Sequence, residues 1–384
     1  MSVSWPGVRF DASEYAERHK RLRAAMAALE LDALVLSDDR HTWYATGFGD
    51  VGPIGSAARP RVLVMPAAGP PAFFVHHSTR VTVSEMSAVP DVRTYRGLGT
   101  APVAEIARFL AEHGARRVGA ELGGGMRIGT TVDDLEALRA SVGELVDASP
   151  ALWSVRAIKS PSEAERVRTA CAITSAAYAA VFPTLRAGMT ERDVAARLRQ
   201  AMAERGAHSS WVWVVSGPGE FDRIDGVTRA RELDRGDLVF VDMGACVGGY
   251  WADFSRAAVV GHASEHQRQM QQLIAEVTMI GTTALVPGRT TGEVARLVDA
   301  AMAERELVFS SEAGRYGHGL GMAVTEYPDV AGESAVAIEP GMVLTMEPGM
   351  WTAEGMFHCE HNVLVTPAGN EILSDSPLEL TEAG

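Results

Sequence analysis

Two aspartates stand eleven residues apart in a segment that has the pattern of a β-hairpin. Residues 238–253 carry an apolar run and turn glycines, with Asp242 near the start and Asp253 at the end. If Val247 and Gly248 form a two-residue turn, the two carboxylates lie directly opposite each other, with Cβ atoms about 4.5–5.5 Å apart. Like charges at that separation destabilise a sheet, so the pattern predicts a positive partner between them.

A second segment repeats this arrangement with two glutamates. Residues 343–351 and 359–366 predict two strands around a loop, and pairing them across that loop places Glu347 opposite Glu360. Between the two hairpins in the chain, His318 lies in a glycine-rich stretch whose backbone can approach a ligand or a metal closely. The sequence thus predicts four carboxylates and one imidazole in strand or glycine contexts.

This donor set suits a pair of divalent metal ions. The carboxylates sit within apolar sequence, where an isolated buried charge is very costly, and two divalent cations balance four negative charges. Oxygen donors with one imidazole suit Mn²⁺, with Fe²⁺, Co²⁺ or Zn²⁺ as alternatives. Two ions about 3.5–4 Å apart would polarise a substrate oxygen and acidify a shared water. The pattern therefore predicts a dinuclear, metal-dependent enzyme, whereas a binding module without catalysis would have lost ligands.

The overall composition is that of a folded, acidic protein. The 384 residues carry a formal net charge of −14, with 47% hydrophobic and 22% charged residues. This excludes a disordered chain, and the net acidity argues against nucleic acid as a partner. No apolar run approaches the roughly 18–20 residues of a membrane span, so no membrane partner is expected. Three widely spaced cysteines and the lack of a signal peptide predict a cytoplasmic location.

The elements that position the candidate residues divide into two predicted domains. Residues 1–153 read as helices alternating with short strands, which predicts a compact α/β domain. Residues 154–384 begin with a helix at Pro161, and glycine-rich strand pairs then alternate with further helices, which predicts an α+β domain. In the first domain, strands are predicted at 31–36, 43–48, 61–65 and 72–75.

The order and spacing of the motifs resemble the pita-bread metallopeptidase family, which includes prolidase, aminopeptidase P, methionine aminopeptidase and creatinase. The resemblance covers nearly the whole chain and implies a creatinase-like α/β N-terminal domain followed by an α+β pita-bread catalytic domain. The matching segments are 40–48 (RHTWYATGF), 157–163 (AIKSPSE), 233–244 (LDRGDLVFVDMG), 317–321 (GHGLG), 339–349 (EPGMVLTMEPG) and 360–366 (EHNVLVT).

The resemblance also implies a site and an assembly. Glu347 would transfer the proton of the attacking water, and the substrate would be a short peptide or another small molecule. A homodimer is implied, in which residues 49–59 of one subunit reach towards the active site of the other. By the same resemblance, the ligands of the two metal ions are Asp242, Asp253, His318, Glu347 and Glu360.

Several positions depart from the pattern of the family's peptidases. Thr325 stands where these enzymes usually carry a substrate-contacting histidine, and His358 replaces an arginine, so both are candidate substrate-binding residues. Prolidase-like members carry a histidine at the position of Gly314. No histidine precedes Asp242 at the usual distance, where this chain has Arg223 and Asp225. The missing groups are ones that orient metal ligands and stabilise the tetrahedral intermediate.

Two functions therefore remain open at this stage. The first is a metal-dependent hydrolase of small peptides that resembles Xaa-Pro dipeptidases and aminopeptidases. The second is a non-peptidase enzyme, a creatinase-like C–N hydrolase or a lyase, acting on a small nitrogenous or sulfonium metabolite. Trp211 and Trp213, together with the Glu360-His361 pair, resemble creatinase. We expect the tryptophans to form core or pocket walls and His361 to face away from the site.

Overall fold

The computed structural model describes residues 9–49, 58–219, 226–308, 314–352 and 355–384. The chain divides into two compact units, residues 1–156 and residues 157–384, whereas the sequence places the boundary between residues 153 and 154. An α/β first unit and an α+β second unit confirm the predicted fold class. Among the described residues, no helix combines the length and the apolar character needed to cross a bilayer.

The first unit is built on a six-stranded mixed sheet. Its elements are α1 (Ala12–Ala28), β1 (Ala33–Leu36), α2 (Asp39–Thr46), β2 (Val62–Pro66), β3 (Ala72–His76), α3 (Arg80–Met86), β4 (Asp91–Tyr95), α4 (Val103–Glu112), β5 (Arg117–Ala120), α5 (Val132–Ser141), β6 (Glu144–Asp147) and α6 (Ser149–Ala157). The strand order is β4-β3-β2-β1-β5-β6. Apolar residues of the strands pack against α4 and α5 to form the core.

The strand predicted at residues 43–48 is wrong, because residues 43–46 belong to helix α2. The Asp38 side chain accepts a hydrogen bond from the Arg40 amide at 2.8 Å and caps the start of this helix. Gly47, with φ of 77°, ends it in the left-handed conformation that glycine adopts most readily. These two local signals outweigh the aromatic residues that suggest a strand.

A buried carboxylate joins the ends of β1 and β5. Glu121 accepts hydrogen bonds from the amides of Ser37 at 2.8 Å and Asp38 at 3.0 Å, and its Oε1 lies 2.6 Å from Nδ1 of His41. Its side chain is 0% exposed. Hydrogen bonds to a buried charged group contribute more than those between neutral groups, so this residue is expected to matter for stability.

Replacing Glu121 with glutamine is expected to lower the free energy of unfolding by about 2 kcal/mol, because an amide cannot accept all the hydrogen bonds of the carboxylate. Urea denaturation measures the change. The matched control is Glu144→Gln, which removes an exposed ion pair with Arg117 and is expected to cost less than about 1 kcal/mol. Equal losses in the two variants would contradict a special role for Glu121.

The second unit contains two five-stranded sheets and a two-stranded hairpin. Its elements are α7 (Pro161–Val181), α8 (Glu191–Glu204), β7 (Ser209–Ser216), β8 (Leu238–Val247), β9 (Tyr250–Trp251), β10 (Phe254–Val260), α9 (Glu265–Ala284), α10 (Thr291–Glu304), β11 (His318–Gly319), β12 (Glu326–Asp329), β13 (Val343–Met346), β14 (Gly349–Thr352), β15 (Gly355–His358), β16 (His361–Thr366), β17 (Gly369–Ile372) and β18 (Thr381–Ala383). One sheet has the path β18-β10-β8-β7, with β9 paired to β8, and the other has the order β12-β11-β13-β16-β17. Strands β14 and β15 form the separate hairpin.

The helices α7 to α10 begin with capping boxes, in which two residues three positions apart each accept, through the side chain, a hydrogen bond from the other's backbone amide. Thr190 and Asp193 form such a box at the start of α8. Ser160 and Glu163 form another at the start of α7, with Pro161 in the first turn. Helices α9 and α10 pack apolar residues against the sheets and form one core with them.

The register predicted for the first hairpin is wrong by two residues. Gly248 and Gly249, with φ of 57° and 87°, form the turn, and Val247 remains in β8 opposite Tyr250. A tight turn of this kind needs positive φ at both central residues, which a β-branched valine resists. Asp242 therefore pairs with Ser255 rather than with Asp253.

The register predicted for the second hairpin is confirmed. Met346 pairs with His361 in one ladder, and Gly349 pairs with His358 in the next. Glu347 and Glu360 lie between these two ladders, at corresponding positions of the two chain segments. Strands β13 and β16 are buried along nearly their whole length, so this part of the hairpin lies in the core.

Candidate metal centre

The predicted site residues meet in one cavity of the second unit. The cavity has a volume of about 490 Å³ and is lined by Trp211, Trp213, Phe240, Asp242, Asp253, Arg315, His318, Val324, Thr325, Glu347, Trp351, Met356 and His358. Four of the five predicted metal ligands thus line it. The fifth, Glu360, is 1% exposed and lies next to Asp253 and His318.

The donor atoms are close enough together to share a metal ion. One donor atom from each of Asp253, His318 and Glu360 lies within 4.8 Å of the others. Nε2 of His318 is 3.4 Å from Oδ2 of Asp253 and 3.4 Å from Oε1 of Glu347. The fold therefore brings the polar atoms of Asp253 and His318 together, although the two residues are 65 positions apart in the chain.

Several carboxylate oxygens of this cluster have no donor. In the described part of the chain, no hydrogen bond reaches either oxygen of Glu360 or Oδ1 of Asp242, although all three atoms are buried. Buried polar atoms are nearly always hydrogen-bonded, and an unpaired buried charge costs several kcal/mol. These oxygens fit a metal ion, which would satisfy them by coordination.

Burial and mutual repulsion oppose ionisation of the cluster. Burial raises the pKa of Asp242, Asp253 and Glu360 well above the usual range, and the negative charge of neighbouring carboxylates raises it further. Burial also raises the pKa of Glu347 to about 7, although the nearby Arg315 guanidinium opposes this change. Without a cation, the four carboxylates do not all ionise at neutral pH.

His318 is held as a neutral imidazole with one nitrogen directed at the carboxylates. The Thr345 hydroxyl accepts a hydrogen bond from the His318 amide at 3.0 Å. Its Nδ1 lies 2.9 Å from the carbonyl oxygen of Gly319, which leaves Nε2 facing Asp253 and Glu347. Burial lowers the pKa of His318 to about 3. A neutral imidazole whose second nitrogen is hydrogen-bonded is the usual form of a metal-binding histidine.

The two predicted substrate-binding residues lie on different parts of the cavity. Thr325 is exposed at its rim, whereas His358 is 6% exposed and lies within its wall. Nδ1 of His358 is 2.6 Å from the Ser255 hydroxyl, and its ring packs edge-on against Phe240 and Trp351. Burial lowers the pKa of His358 to about 4, so this wall of the cavity is neutral where a family arginine would be charged.

Other residues singled out from the sequence are also located. Trp211 and Trp213 are walls of the cavity, as expected. His361 is buried with Nδ1 2.7 Å from the Ser374 hydroxyl and is absent from the lining of the cavity. Arg223, Asp225 and residues 50–57 of the proposed dimer contact lie outside the described residues.

Sequence reasoning missed Arg315. Its Nη1 donates to Oδ1 of Asp329 at 2.8 Å, and its Nε lies 4.0 Å from Oε1 of Glu347. It brings a positive charge to the acidic cavity, where it lowers the pKa of Glu347. The available signal was its position, three residues before His318 in a glycine-containing stretch.

The chain matches two known protein families and is similar in sequence to several peptidases. Residues 165–367 match the profile of metallopeptidase family M24, and residues 18–158 match the creatinase/prolidase N-terminal domain. The chain is 30% identical to the probable dipeptidase PepE of Mycobacterium tuberculosis, with 97% of each chain covered. It is 29% identical to the Xaa-Pro dipeptidase of Pyrococcus furiosus, over 63% of this chain and 70% of that one.

Among solved structures, the fold is similar to that of the Xaa-Pro dipeptidase from Bacillus anthracis. The TM-score is 0.84 at 26% sequence identity, and the match covers 96% of this chain and 99% of the other. The similarity therefore extends over both units.

Proposed function

Because this chain belongs to metallopeptidase family M24, we propose that it is a metal-dependent dipeptidase that hydrolyses Xaa-Pro peptides. The observation that carries the proposal is the group of buried carboxylate oxygens without donors, beside the neutral His318 and an open cavity. The volume of the cavity, about 490 Å³, is within the range of pockets that hold small ligands.

In this proposal, two divalent ions are held by Asp242, Asp253, His318, Glu347 and Glu360. Bound ions of this kind would polarise the scissile carbonyl and lower the pKa of the attacking water. Manganese is the proposed ion because oxygen donors predominate, with iron, cobalt and zinc as alternatives. A cytoplasmic location is likewise part of the proposal.

The chain's own residues supply proton transfer and substrate contacts. Glu347 is 21% exposed to the cavity, where its carboxylate would accept a proton from the attacking water and return it. The Nε2 atom of His358 is the nitrogen that Ser255 leaves free for a substrate atom.

A substrate panel tests the proposal. The protein is stripped of metal, reloaded with Mn²⁺ and assayed with Xaa-Pro dipeptides, dipeptides without proline, Xaa-Pro-Xaa tripeptides and creatine. Turnover of Xaa-Pro dipeptides that chelation abolishes supports the proposal. Turnover of creatine alone, or of no peptide, would favour the non-peptidase function that the missing histidines leave open.

Thr325→His is expected to raise kcat for Xaa-Pro dipeptides on the order of tenfold. The imidazole would restore a donor at the rim of the cavity, and a single such donor is worth up to about 10²–10³ in rate. Thr325→Val is the matched control, because it keeps the size of threonine and adds no donor. Lower turnover in Thr325→His alone would show that the pocket is shaped for a different substrate.

A homodimer is also part of the proposal. The candidate contact is residues 49–59, of which Gly49, Ala58 and Arg59 are described. Light scattering at micromolar concentration distinguishes a dimer from a monomer, and a monomer would exclude a site shared between subunits.

A further inference from the structure

Asp253 occupies a break between two short strands. Ala252 and Asp253 separate β9 from β10, so Asp253 itself belongs to neither strand. Glu360 occupies a similar break between β15 and β16. Breaks of this kind turn a side chain away from the regular alternation of a strand, but they also remove the ladder hydrogen bonds that would hold the backbone in place.

A single side chain replaces the missing ladder at Asp253. Oδ1 of Asn362 accepts a hydrogen bond from the Asp253 amide at 2.9 Å, and Nδ2 of Asn362 donates to the Asp253 carbonyl oxygen. The amide thus bonds both backbone groups of the same residue, as a neighbouring strand would. Asn362 is 0% exposed, so water does not compete for these bonds.

Asn362 is itself firmly held. It belongs to β16, two residues after Glu360, and its backbone amide donates to the Ser374 hydroxyl at 3.1 Å. The thiol of Cys171 donates to Oδ1 of Asn362 at 3.3 Å. Because Asn362 lies two residues after Glu360, its side chain ties the backbone of Asp253 to the strand that follows Glu360.

Buried side chains also bond backbone groups of two other predicted ligands, Glu360 and His318. The Arg256 guanidinium donates through Nη1 to the Glu360 carbonyl oxygen at 2.6 Å, and the Thr345 hydroxyl accepts from the His318 amide. Each of three predicted ligands therefore has a backbone group bonded by a buried side chain. Of these contacts, only that of Asn362 bonds both the amide and the carbonyl of one ligand.

We propose that Asn362 is a positioning residue of the metal centre, whose side-chain amide fixes Asp253 relative to Glu360 and thereby sets the affinity for metal. The inference rests on the proposed function only in taking these two carboxylates as metal ligands. Metal–ligand distances are held to within about 0.2 Å. A carboxylate whose backbone has lost its hydrogen bonds can shift by more than this, and the site then binds the metal more weakly. Groups that orient metal ligands typically contribute 10–100-fold to metal affinity.

The test compares metal binding in two variants and a matched control. Asn362→Leu keeps the approximate volume and removes both hydrogen bonds, and Asn362→Ser leaves a small polar group too short to bond both backbone atoms. The control is Asn370→Leu, because Nδ2 of Asn370 donates to the carbonyls of Thr282 and Leu285, away from the cavity. Titration of the metal-free proteins with Mn²⁺ gives Kd, and thermal unfolding with and without Mn²⁺ gives the stabilisation by metal.

The expected result is a Kd for Mn²⁺ that is 10–100-fold weaker in the Asn362 variants and unchanged in Asn370→Leu. A purely structural residue would lower Tm equally with and without metal, whereas the proposal predicts a larger loss in the metal-loaded protein. If Asn362→Leu does not fold, Asn362→Ser decides the question. Affinity within twofold of the parent in the folded Asn362 variants overturns this inference alone, and failure of the parent protein to bind Mn²⁺ overturns the proposed function with it.

Discussion

Replacing Glu360 with glutamine is expected to lower kcat/KM for the substrate by about 10³-fold or more. Glutamine keeps the size of the side chain but is a weak, neutral ligand, and stabilisation of transition-state charge by a metal is worth several kcal/mol. At about 1.4 kcal/mol for each factor of ten, losing most of that stabilisation gives this decrease. Elemental analysis should show loss of at least one metal ion per chain.

The same variant should have opposite effects on stability with and without metal. In the metal-free protein, the buried Glu360 carboxylate has no donor among the described residues and is repelled by Asp253, Asp242 and Glu347. Its neutral replacement should therefore raise Tm in the presence of chelator and lower it in the presence of Mn²⁺. The control is Glu371→Gln, which removes an exposed ion pair with Arg168. Full metal content in Glu360→Gln would contradict the assigned ligand set.

The metal-free protein is expected to lose several kcal/mol of stability between about pH 4 and pH 7. The carboxylates of the cluster have raised pKa values in the folded state, so between about pH 4 and pH 7 the folded protein binds more protons than the unfolded chain. Stability is therefore greatest on the acid side of this window and falls as the pH rises. For Glu347 alone, the change of pKa from 4.5 to about 7 corresponds to about 3 kcal/mol.

Denaturation curves at several pH values in the presence of chelator measure this dependence. Saturating Mn²⁺ should abolish most of it, because coordination stabilises the ionised carboxylates. Glu347→Gln removes one titrating group and should flatten the metal-free profile, whereas Glu371→Gln should leave its slope unchanged above pH 5. A metal-free protein whose stability is constant from pH 5 to pH 7 would show that the cluster does not carry the predicted repulsion.

The sequence identifies the residues of the site more reliably than it predicts how they are placed relative to one another. Pairing the two segments of the second hairpin across their connecting loop places Glu347 opposite Glu360, and the structure has this register. The pairing of Asp242 depends instead on which two residues form the turn, and the glycine pair at 248–249 determines this through positive φ. Both aspartates nevertheless reach the same cavity, since the break at Asp253 lets it leave the ladder.

Contacts between distant segments were beyond the reach of the sequence. Arg315 belongs to the site because β11 brings the glycine-rich stretch against β13, a pairing that residue spacing does not reveal. The role of Asn362 could not be predicted for the same reason, since it depends on two sheets approaching each other. Helix α2 was missed for a local reason. Its aromatic residues suggest a strand, and the N-cap at Asp38, which indicates a helix, was overlooked.

The bond between Asn362 and Asp253 also bears on the order in which the protein folds and takes up metal. Each hairpin brings two carboxylates together locally, but this bond spans 109 residues and closes only after distant segments have met. Loading with metal should consequently be a late kinetic step. Ions captured earlier by a single hairpin would favour partly folded chains, and refolding should be cleaner when metal is added after the sheets have assembled.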